Sequence, residues 1–333
     1  MANAEPFVGG TYNKQIARCF QTEAVQPTQE FVGRRMRMLA GSGIGTVAQP
    51  NPCIADFLDV AATERELLAS ERVAVARPKP LRDYDQISMQ AGDLLRQVKL
   101  MQPLLEGKRV AFVGDNDGAS ILLGLLGVQG AAMPTRMTLL DFDLRILASA
   151  TAMAQDAGFA DKFEVRPYNV FDLVPVDLAG CFDVFYTNPP YGKGNTGASG
   201  RLFATRGAEL CHRQGGACGC IILPDDDERA WTGNAMLATQ RFLTEHGWSV
   251  REKLSQLHHY DLPGDPGLTS STLWVRDALE GKGIAGMPYA GKRVSGEEIA
   301  YFYGRKVPPP YPRYIQENEE RDYNWPAEES TNA

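Results

Sequence analysis

The sequence predicts an α/β fold built on an open, mainly parallel β-sheet. From Arg109 onward, short apolar runs alternate with longer segments that have the apolar period of amphipathic helices. Glycine or proline closely follows several of the apolar runs, as at Gly114 and Pro189. This alternation is typical of βα units, in which a helix returns the chain across the sheet and the strands run parallel.

Seven strands are predicted, and the last two differ from the others. The strands are Arg109 to Asp115, Met137 to Asp143, Phe163 to Asn169, Cys181 to Asn188, Ala217 to Pro224, Ser249 to Tyr260 and Ser271 to Ala278. The sixth and seventh are separated by a turn rich in glycine and proline, LPGDPG. Strands this close predict an antiparallel hairpin at one edge of the sheet.

Amphipathic patterns predict the helices that join these strands. They are Gly118 to Gly127, Leu144 to Gly158, about Ala198 to Arg213 and about Glu228 to His246, with a further helix over Gly92 to Leu105. Together with the hairpin, this order of elements predicts the Rossmann-like open sheet of the class I S-adenosylmethionine-dependent transferases, which is the class I methyltransferase fold.

The segments that flank the sheet region predict further domains. The N-terminal part is expected to be a small helical or winged-helix-like domain, with helices over Phe31 to Leu39 and Ile54 to Glu71 and a short strand over Arg72 to Ala76. The C-terminal extension turns proline-rich and then acidic, a composition typical of partly mobile chain. The predicted parts are 1–80 (N-terminal domain), 81–105 (connecting helix), 106–290 (transferase domain) and 291–333 (C-terminal extension).

Composition and charge narrow the classes of function. With 34 basic and 41 acidic side chains the formal charge is −7, and 44% of the residues are hydrophobic, as in ordinary globular proteins. Net acidity argues against a protein that mainly wraps duplex DNA and favours an amine or polycation partner. The chain has neither an apolar run of ~18 residues nor the layout of a signal peptide, so we expect a cytoplasmic protein without membrane contact. A homodimer stays open, because such folds commonly dimerise.

Cysteine and histidine offer weaker signals. Six cysteines in 333 residues are too few and too clustered for a disulfide framework, which fits a reducing compartment. Cys211, Cys218 and Cys220 lack the paired two-residue spacing of metal sites, so we expect buried small side chains and no metal. His258 and His259, at the end of the sixth strand, either line a site or face solvent.

Loops at the carboxyl ends of the first three strands predict a nucleoside site, because an open α/β sheet binds its ligand there. Gly114 begins the first loop and lets backbone amides approach a nucleoside. Asp141, at the tip of the second strand, is in the position that accepts hydrogen bonds from both ribose hydroxyls, and Asp143 is expected to cap the next helix. Asn169 follows the third strand and suits an adenine edge, with Asp172 as the alternative.

The loop after the fourth strand carries the most specific motif, Asn188-Pro189-Pro190-Tyr191. This motif occurs in transferases that alkylate an amino nitrogen on a planar group. The Asn188 side-chain oxygen and a proline carbonyl such as that of Pro189 accept the two N–H groups, which aims the nitrogen lone pair at the sulfonium carbon. The Tyr191 ring can stack on the substrate. A tight turn that only ends a strand is the alternative.

The stretch from Tyr84 to about Glu245 resembles the branched-chain polyamine synthases, the N4-bis(aminopropyl)spermidine synthases. The matching pieces are Asp85-Gln86, LEGKRVAFVGDNDGAS, LLDFDLR and RLFATRGAEL. The resemblance implies a class I transferase domain behind an N-terminal winged-helix-like domain. It also implies transfer of aminopropyl groups from decarboxylated S-adenosylmethionine to a nitrogen of a small-molecule amine, a polyamine.

Two departures from this family keep a second function open. Asn116 replaces the middle aspartate of the family's acidic loop, and the motif at residues 188–191 replaces Asp-Pro-Pro-Glu. Both changes remove negative charge, and the second produces the motif of methyltransferases that act on adenine, cytosine or a glutamine amide. The alternative is therefore S-adenosylmethionine-dependent N-methylation, with nucleic acid as one class of partner. The acidic run Asp225-Asp226-Asp227-Glu228 could restore acidity for substrate binding, or lie at a solvated helix start.

The choice of donor and base rests on Asp115 and Asp117. An aliphatic ammonium has a pKa near ~10, so a carboxylate here is a candidate base for a polyamine acceptor. The same carboxylates attract the ammonium of the decarboxylated donor and repel the carboxylate of S-adenosylmethionine, which favours aminopropyl transfer. A third hypothesis, a non-catalytic nucleoside-responsive module that binds nucleic acid, rests on the winged-helix-like domain and lacks an accompanying basic surface. The basic run Arg34 to Arg37 is more typical of a solvated helix face.

Overall fold

The computed structural model describes residues 62–81, 84–260 and 267–302. Their strands are β1 (Arg109–Val113), β2 (Arg136–Asp141), β3 (Phe163–Pro167), β4 (Val184–Thr187), β5 (Cys218–Pro224), β6 (Trp248–His259) and β7 (Thr269–Asp277). They form a seven-stranded sheet in the order β3-β2-β1-β4-β5-β7-β6. β1 to β5 run parallel, and β7 pairs antiparallel with both β5 and β6. The predicted open sheet with an antiparallel hairpin at one edge is confirmed.

Helices cover both faces of the sheet. They are α1 (Glu64–Ala76), α2 (Ala91–Leu105), α3 (Ala119–Val128), α4 (Leu144–Ala157), α5 (Ala198–Leu210), α6 (Ala230–Glu245) and α7 (Gly296–Phe302). Alternate residues of β1 point to opposite faces, so Val110 and Phe112 join the core beneath α1 to α4, whereas Ala111 and Val113 join the core beneath α5 and α6. This three-layer packing explains why the central strands are apolar on both faces.

The strand predicted over Arg72 to Ala76 is wrong, because these residues form the last turns of α1. Thr63 begins the helix with a capping box: its side chain accepts the N–H of Glu66, and the Glu66 carboxylate accepts the N–H of Thr63 at 2.7 Å. Ala69 and Val73 lie four residues apart on one face and are buried in the core with α2 and α3. This packing outweighs the lower helix propensity of valine.

Several expectations concern parts of the chain outside the described residues. They are the helix over Phe31 to Leu39, the basic run Arg34 to Arg37, the start of the helix from Ile54, most of the LPGDPG turn and the tail after residue 302. The division of the chain into four parts stays a prediction. None of the described helices is both long and apolar enough to cross a bilayer.

The strand order positions the candidate site. Because β3, β2, β1 and β4 are parallel neighbours, the loops that follow them emerge side by side at one edge of the sheet. Gly114 begins the first of these loops with a φ of +70°, a conformation that favours glycine. The other side of this edge is closed by α5, which packs on β4 through Gly207, where a Cβ would come within 2.2 Å of the Phe185 ring.

We predict that two helix glycines respond in opposite directions to alanine. Gly207→Ala should lower the free energy of unfolding by about 1–3 kcal/mol, because the new methyl group overlaps the Phe185 ring in a close-packed core. Gly233→Ala in α6 is the matched control: nothing lies within 4 Å of the added Cβ, so helix propensity should raise stability by about 0.5–1 kcal/mol. Urea unfolding measures both, and equal effects would contradict the packing described for α5.

Candidate active site

The carboxyl ends of the parallel strands open into one cavity of about 740 Å³. Seven of the residues predicted for the site line it: Gly114, Asp117, Asp141, Asn169, Asn188, Pro189 and Tyr191. Five others do not: Asp115, Asp172, Asp225, Asp226 and Asp227. The cavity therefore brings together the loops after β1, β2, β3 and β4, whereas the three aspartates after β5 lie outside it.

Asp141 is fixed at the tip of β2. Its Oδ2 accepts the backbone N–H of Asp115 at 3.2 Å, and its Oδ1 accepts that of Asp143 at 2.9 Å. Burial, together with the nearby carboxyl groups of Asp143 and Asp115, raises the pKa of Asp141 to about 7. The carboxylate is thus held rigidly at the cavity wall, and each oxygen keeps a lone pair for a further hydrogen bond.

Asp115 has a different task from the one predicted. Its carboxylate accepts the N–H groups of Ala119 and Ser120, both at 2.8 Å, so it caps the start of α3. Burial raises the pKa of this group, too, to about 7. Both carboxylate oxygens are thus used at the helix start, and Asp115 does not line the cavity, so it is unsuited to act as a base or to contact the donor. Asp143, by contrast, caps α4 as expected, by accepting the N–H of Arg145 at 3.0 Å.

Asp117 and Asn188 join the loops after β1 and β4. Asn188 Nδ2 donates to Asp117 Oδ2 at 2.6 Å and to the Tyr260 hydroxyl at 3.4 Å. The other Asp117 oxygen, Oδ1, accepts the N–H of Met89 at 2.6 Å. Since both amide hydrogens of Asn188 have partners, its side-chain oxygen is the atom suited to accept a hydrogen bond from a ligand.

Two tyrosines form an aromatic corner beside Asn188. The rings of Tyr191 and Tyr260 meet edge to face with centroids 5.6 Å apart, and the Tyr191 hydroxyl donates to that of Tyr260. Both side chains line the cavity. Tyr260 was missed by the sequence analysis, although its signal was available: it is an aromatic residue directly after a strand.

The two residues predicted as candidates for the adenine contact, both in the loop after β3, differ in their position relative to the cavity. Asn169 lines the cavity, and its Oδ1 accepts the N–H of Phe171 at 3.0 Å, which shapes the turn. Asp172 lies outside the cavity and pairs with Arg293 at 3.0 Å. The structure therefore favours Asn169 over the alternative.

Asp225 and Asp226, two members of the acidic run after β5, are used within the protein, which corrects their prediction as substrate-binding residues. Asp225 pairs with Lys253 at 2.9 Å and accepts the hydroxyl of Ser271. Asp226 pairs with Arg229, and Asp227 is exposed outside the cavity. The following residue, Glu228, does line the cavity, as does Arg229.

Phe302 lines the cavity, although no sequence signal indicated it, and a buried arginine explains its position. Arg206 of α5 is fully buried and donates to the carbonyl oxygens of Val170, Tyr289 and Lys292 at 2.7–2.9 Å. These bonds tie the loop after β3 to the segment that leads into α7. Phe302, at the end of α7, consequently reaches the cavity.

None of the four cysteines in the described part of the chain lines the cavity. Cys211 and Cys220 are buried, and burial raises the pKa of both thiols. In the described ranges, no cluster of three or more His, Cys, Asp or Glu side chains is arranged to hold a metal ion.

Comparisons with known proteins agree with this architecture. The family model of the branched-chain polyamine synthase A C-terminal domain matches residues 67–267. An uncharacterized protein of Methanocaldococcus jannaschii is 30% identical over 180 residues, which are 54% of this chain and 40% of that protein, so this chain spans less than half of the relative. The branched-chain polyamine synthase of Thermus thermophilus, crystallised with N4-aminopropylspermidine and 5′-methylthioadenosine, superposes with a TM-score of 0.56 and 24% identity, covering 69% of this chain and 67% of that one.

We predict that the buried carboxyl groups make the ligand-free protein less stable as the pH rises from about 4 to about 7. The folded-state pKa values of Asp115 and Asp141 are raised to about 7 from 3.8, so the folded protein holds protons that the unfolded chain has released. Asp141→Asn should reduce this slope by up to about 1.4 kcal/mol per pH unit, the value for one proton. Urea unfolding at several pH values measures it. The control Asp161→Asn, at an exposed position, should keep the wild-type slope, and an unchanged slope in Asp141→Asn would contradict the assignment.

Proposed function

The chain belongs to the family of the branched-chain polyamine synthase A C-terminal domain, and on that basis we propose that it is an aminopropyltransferase. The donor is decarboxylated S-adenosylmethionine and the acceptor is an amino nitrogen of a polyamine. One observation carries the proposal: Asp141, which suits a ribose, and Asn188, which suits an amine, line the same cavity. A nucleoside donor and an amine acceptor can therefore meet there.

The nucleoside part of the donor is proposed to lie over the ends of β1 to β3. Asp141 would accept both ribose hydroxyls, since each of its oxygens has a lone pair beyond the one used by the backbone. Asn169 is placed at the adenine edge, and the aromatic rings of Phe142 and Phe203 supply apolar surface for the base. Gly114 adds no side chain of its own at the start of this region, where a Cβ would come within 3.2 Å of the Phe203 ring.

The amine is proposed to bind at Asn188. Its side-chain oxygen and the carbonyl of Pro189 accept N–H groups, which leaves the nitrogen lone pair directed at the donor. The neutral amine attacks the carbon attached to sulfur, so the N–C bond forms as the C–S bond breaks. The electron pair of that bond goes to sulfur, 5′-methylthioadenosine leaves, and the positive charge passes to nitrogen. Because an aliphatic ammonium has a pKa near ~10, the amine must first release a proton, and the Asp117 carboxylate, which lines the cavity, is the proposed base that accepts it.

The charge of the cavity supports a cationic acceptor and the decarboxylated donor. Its charged lining residues are four acids and two bases: Asp85, Asp117, Asp141, Glu228, Lys193 and Arg229. An excess of carboxylates in a partly desolvated site favours ammonium groups over carboxylate groups. The decarboxylated donor ends in an ammonium, whereas S-adenosylmethionine adds a carboxylate to it.

A second candidate function is N-methylation by S-adenosylmethionine of an amino group on a nucleobase or a protein amide. Residues 188–191 favour it, because they carry the motif of such methyltransferases and Asn188 and Tyr191 both line the cavity. A planar amino group carries no extra proton, so it needs no base. The donor distinguishes the two functions.

We predict that the protein binds decarboxylated S-adenosylmethionine more tightly than S-adenosylmethionine by about 5- to 150-fold, an electrostatic difference of ~1–3 kcal/mol. A competition titration against 5′-methylthioadenosine measures both affinities. Asp117→Asn should narrow the difference, whereas the exposed control Asp161→Asn should leave it as it is. Tighter binding of S-adenosylmethionine would reject aminopropyl transfer and favour the methyltransferase.

A further inference from the structure

A chain of hydrogen-bonded side chains runs from the cavity into the protein. It begins at Tyr191, whose hydroxyl donates to that of Tyr260, and the Tyr260 oxygen lies 2.7 Å from Ser270 Oγ. Ser270 Oγ is 2.9 Å from His258 Nδ1, and His258 Nε2 is 2.9 Å from Gln97 Oε1. His258 is fully buried and does not line the cavity, so both predictions made for it from the sequence are wrong.

Gln97, at the inner end of this series of hydrogen bonds, determines the tautomer of His258. Gln97 Oε1 also accepts the hydroxyl of Thr272 at 2.5 Å, while Gln97 Nε2 donates to Cys220 Sγ at 3.4 Å. An amide oxygen can only accept, so the hydrogen between His258 and Gln97 belongs to Nε2 of His258. Burial lowers the pKa of His258 to about 3, so the ring is neutral and has no second hydrogen.

The direction of every other hydrogen bond follows from this tautomer. His258 Nδ1 holds a lone pair, so the single hydroxyl hydrogen of Ser270 points to it. Ser270 Oγ then accepts the hydrogen of Tyr260. The Tyr260 oxygen has no hydrogen left for its other neighbours and accepts from Asn188 Nδ2 and from the Tyr191 hydroxyl. The Tyr191 hydrogen is consequently directed at the Tyr260 oxygen.

We propose that His258 is a positioning residue that, through Ser270 and Tyr260, keeps the Tyr191 hydroxyl as a hydrogen-bond acceptor toward the amine substrate. The proposal rests on the proposed function and deepens it. A Tyr191 hydroxyl turned outward would donate to the amine lone pair, which is the electron pair that must attack the donor. Turned inward, it leaves the lone pair free and, together with the Asn188 oxygen, presents acceptors to the N–H groups.

The hydrogen-bonded side chains position the amine and do not remove its proton. An aliphatic ammonium has a pKa near ~10, so passing its proton along the hydroxyls to His258 would be strongly uphill. The hydroxyls therefore act by their orientation, which is set before the substrate binds. Orientation of this kind affects the transfer step more than binding of the donor nucleoside.

Two substitutions of Ser270 test the proposal with decarboxylated S-adenosylmethionine and spermidine. Ser270→Ala removes the link to His258 and should lower kcat about ten-fold, the rate equivalent of one lost hydrogen bond, with unchanged affinity for 5′-methylthioadenosine. Ser270→Thr keeps a hydroxyl and should restore most of the rate. Thr138→Val is the control, because it removes a fully buried hydroxyl of β2 that does not belong to this series of hydrogen bonds. An unchanged rate in Ser270→Ala, or equal losses in both Ser270 variants, would overturn the proposal.

A measurement of the His258 tautomer does not depend on activity. In ¹⁵N-labelled protein, the ring nitrogen shifts should show hydrogen on Nε2 and a bare Nδ1, and the signal is assigned by its loss in His258→Gln. Hydrogen on Nδ1 would overturn the proposed direction of the chain. If the wild-type protein transfers nothing to spermidine, the proposed function fails, and the tautomer still decides whether the chain has the direction inferred here.

Discussion

The hydrogen bond between Asn188 and Asp117 determines which atom of the Asn188 side chain is available to a ligand in the cavity. A carboxylate can only accept, so the amide nitrogen of Asn188 must face it, and the amide oxygen becomes the group suited to a ligand. Asp117 also accepts the N–H of Met89, which attaches the segment before α2 to the loop after β1. Asp117 thus holds three parts of the chain together, and its hydrogen bond with Asn188 orients the side chain proposed to align the amine.

Much of the fold follows from features that the sequence displays locally. The apolar period and the turn residues predict β1 to β7 within a few residues, because the central strands are buried on both faces and end at glycine or proline. The positions of Asp141 and Asn188 in the cavity follow from the same logic, since both come directly after parallel strands that are close neighbours in the sheet.

The remaining features depend on partners that are distant in sequence. Asp115 and Asp117 lie two residues apart on one turn, and no spacing rule reveals that the first caps α3 while the second faces Asn188. Asp225 is neutralised by Lys253, more than twenty residues later. Phe302 reaches the cavity because Arg206 anchors the segment before α7, an arrangement of buried carbonyl groups that only the folded chain shows.

Two observations about this protein point to different reactions. Its family membership favours aminopropyl transfer, whereas the motif after β4 is typical of amino-group methyltransferases. The most direct test incubates the purified full chain with spermidine and each donor in turn and determines the product mass. We expect a product heavier by one or more aminopropyl groups, formed only with decarboxylated S-adenosylmethionine and accompanied by 5′-methylthioadenosine. A methylated product formed with S-adenosylmethionine, with no transfer from the decarboxylated donor, would contradict it.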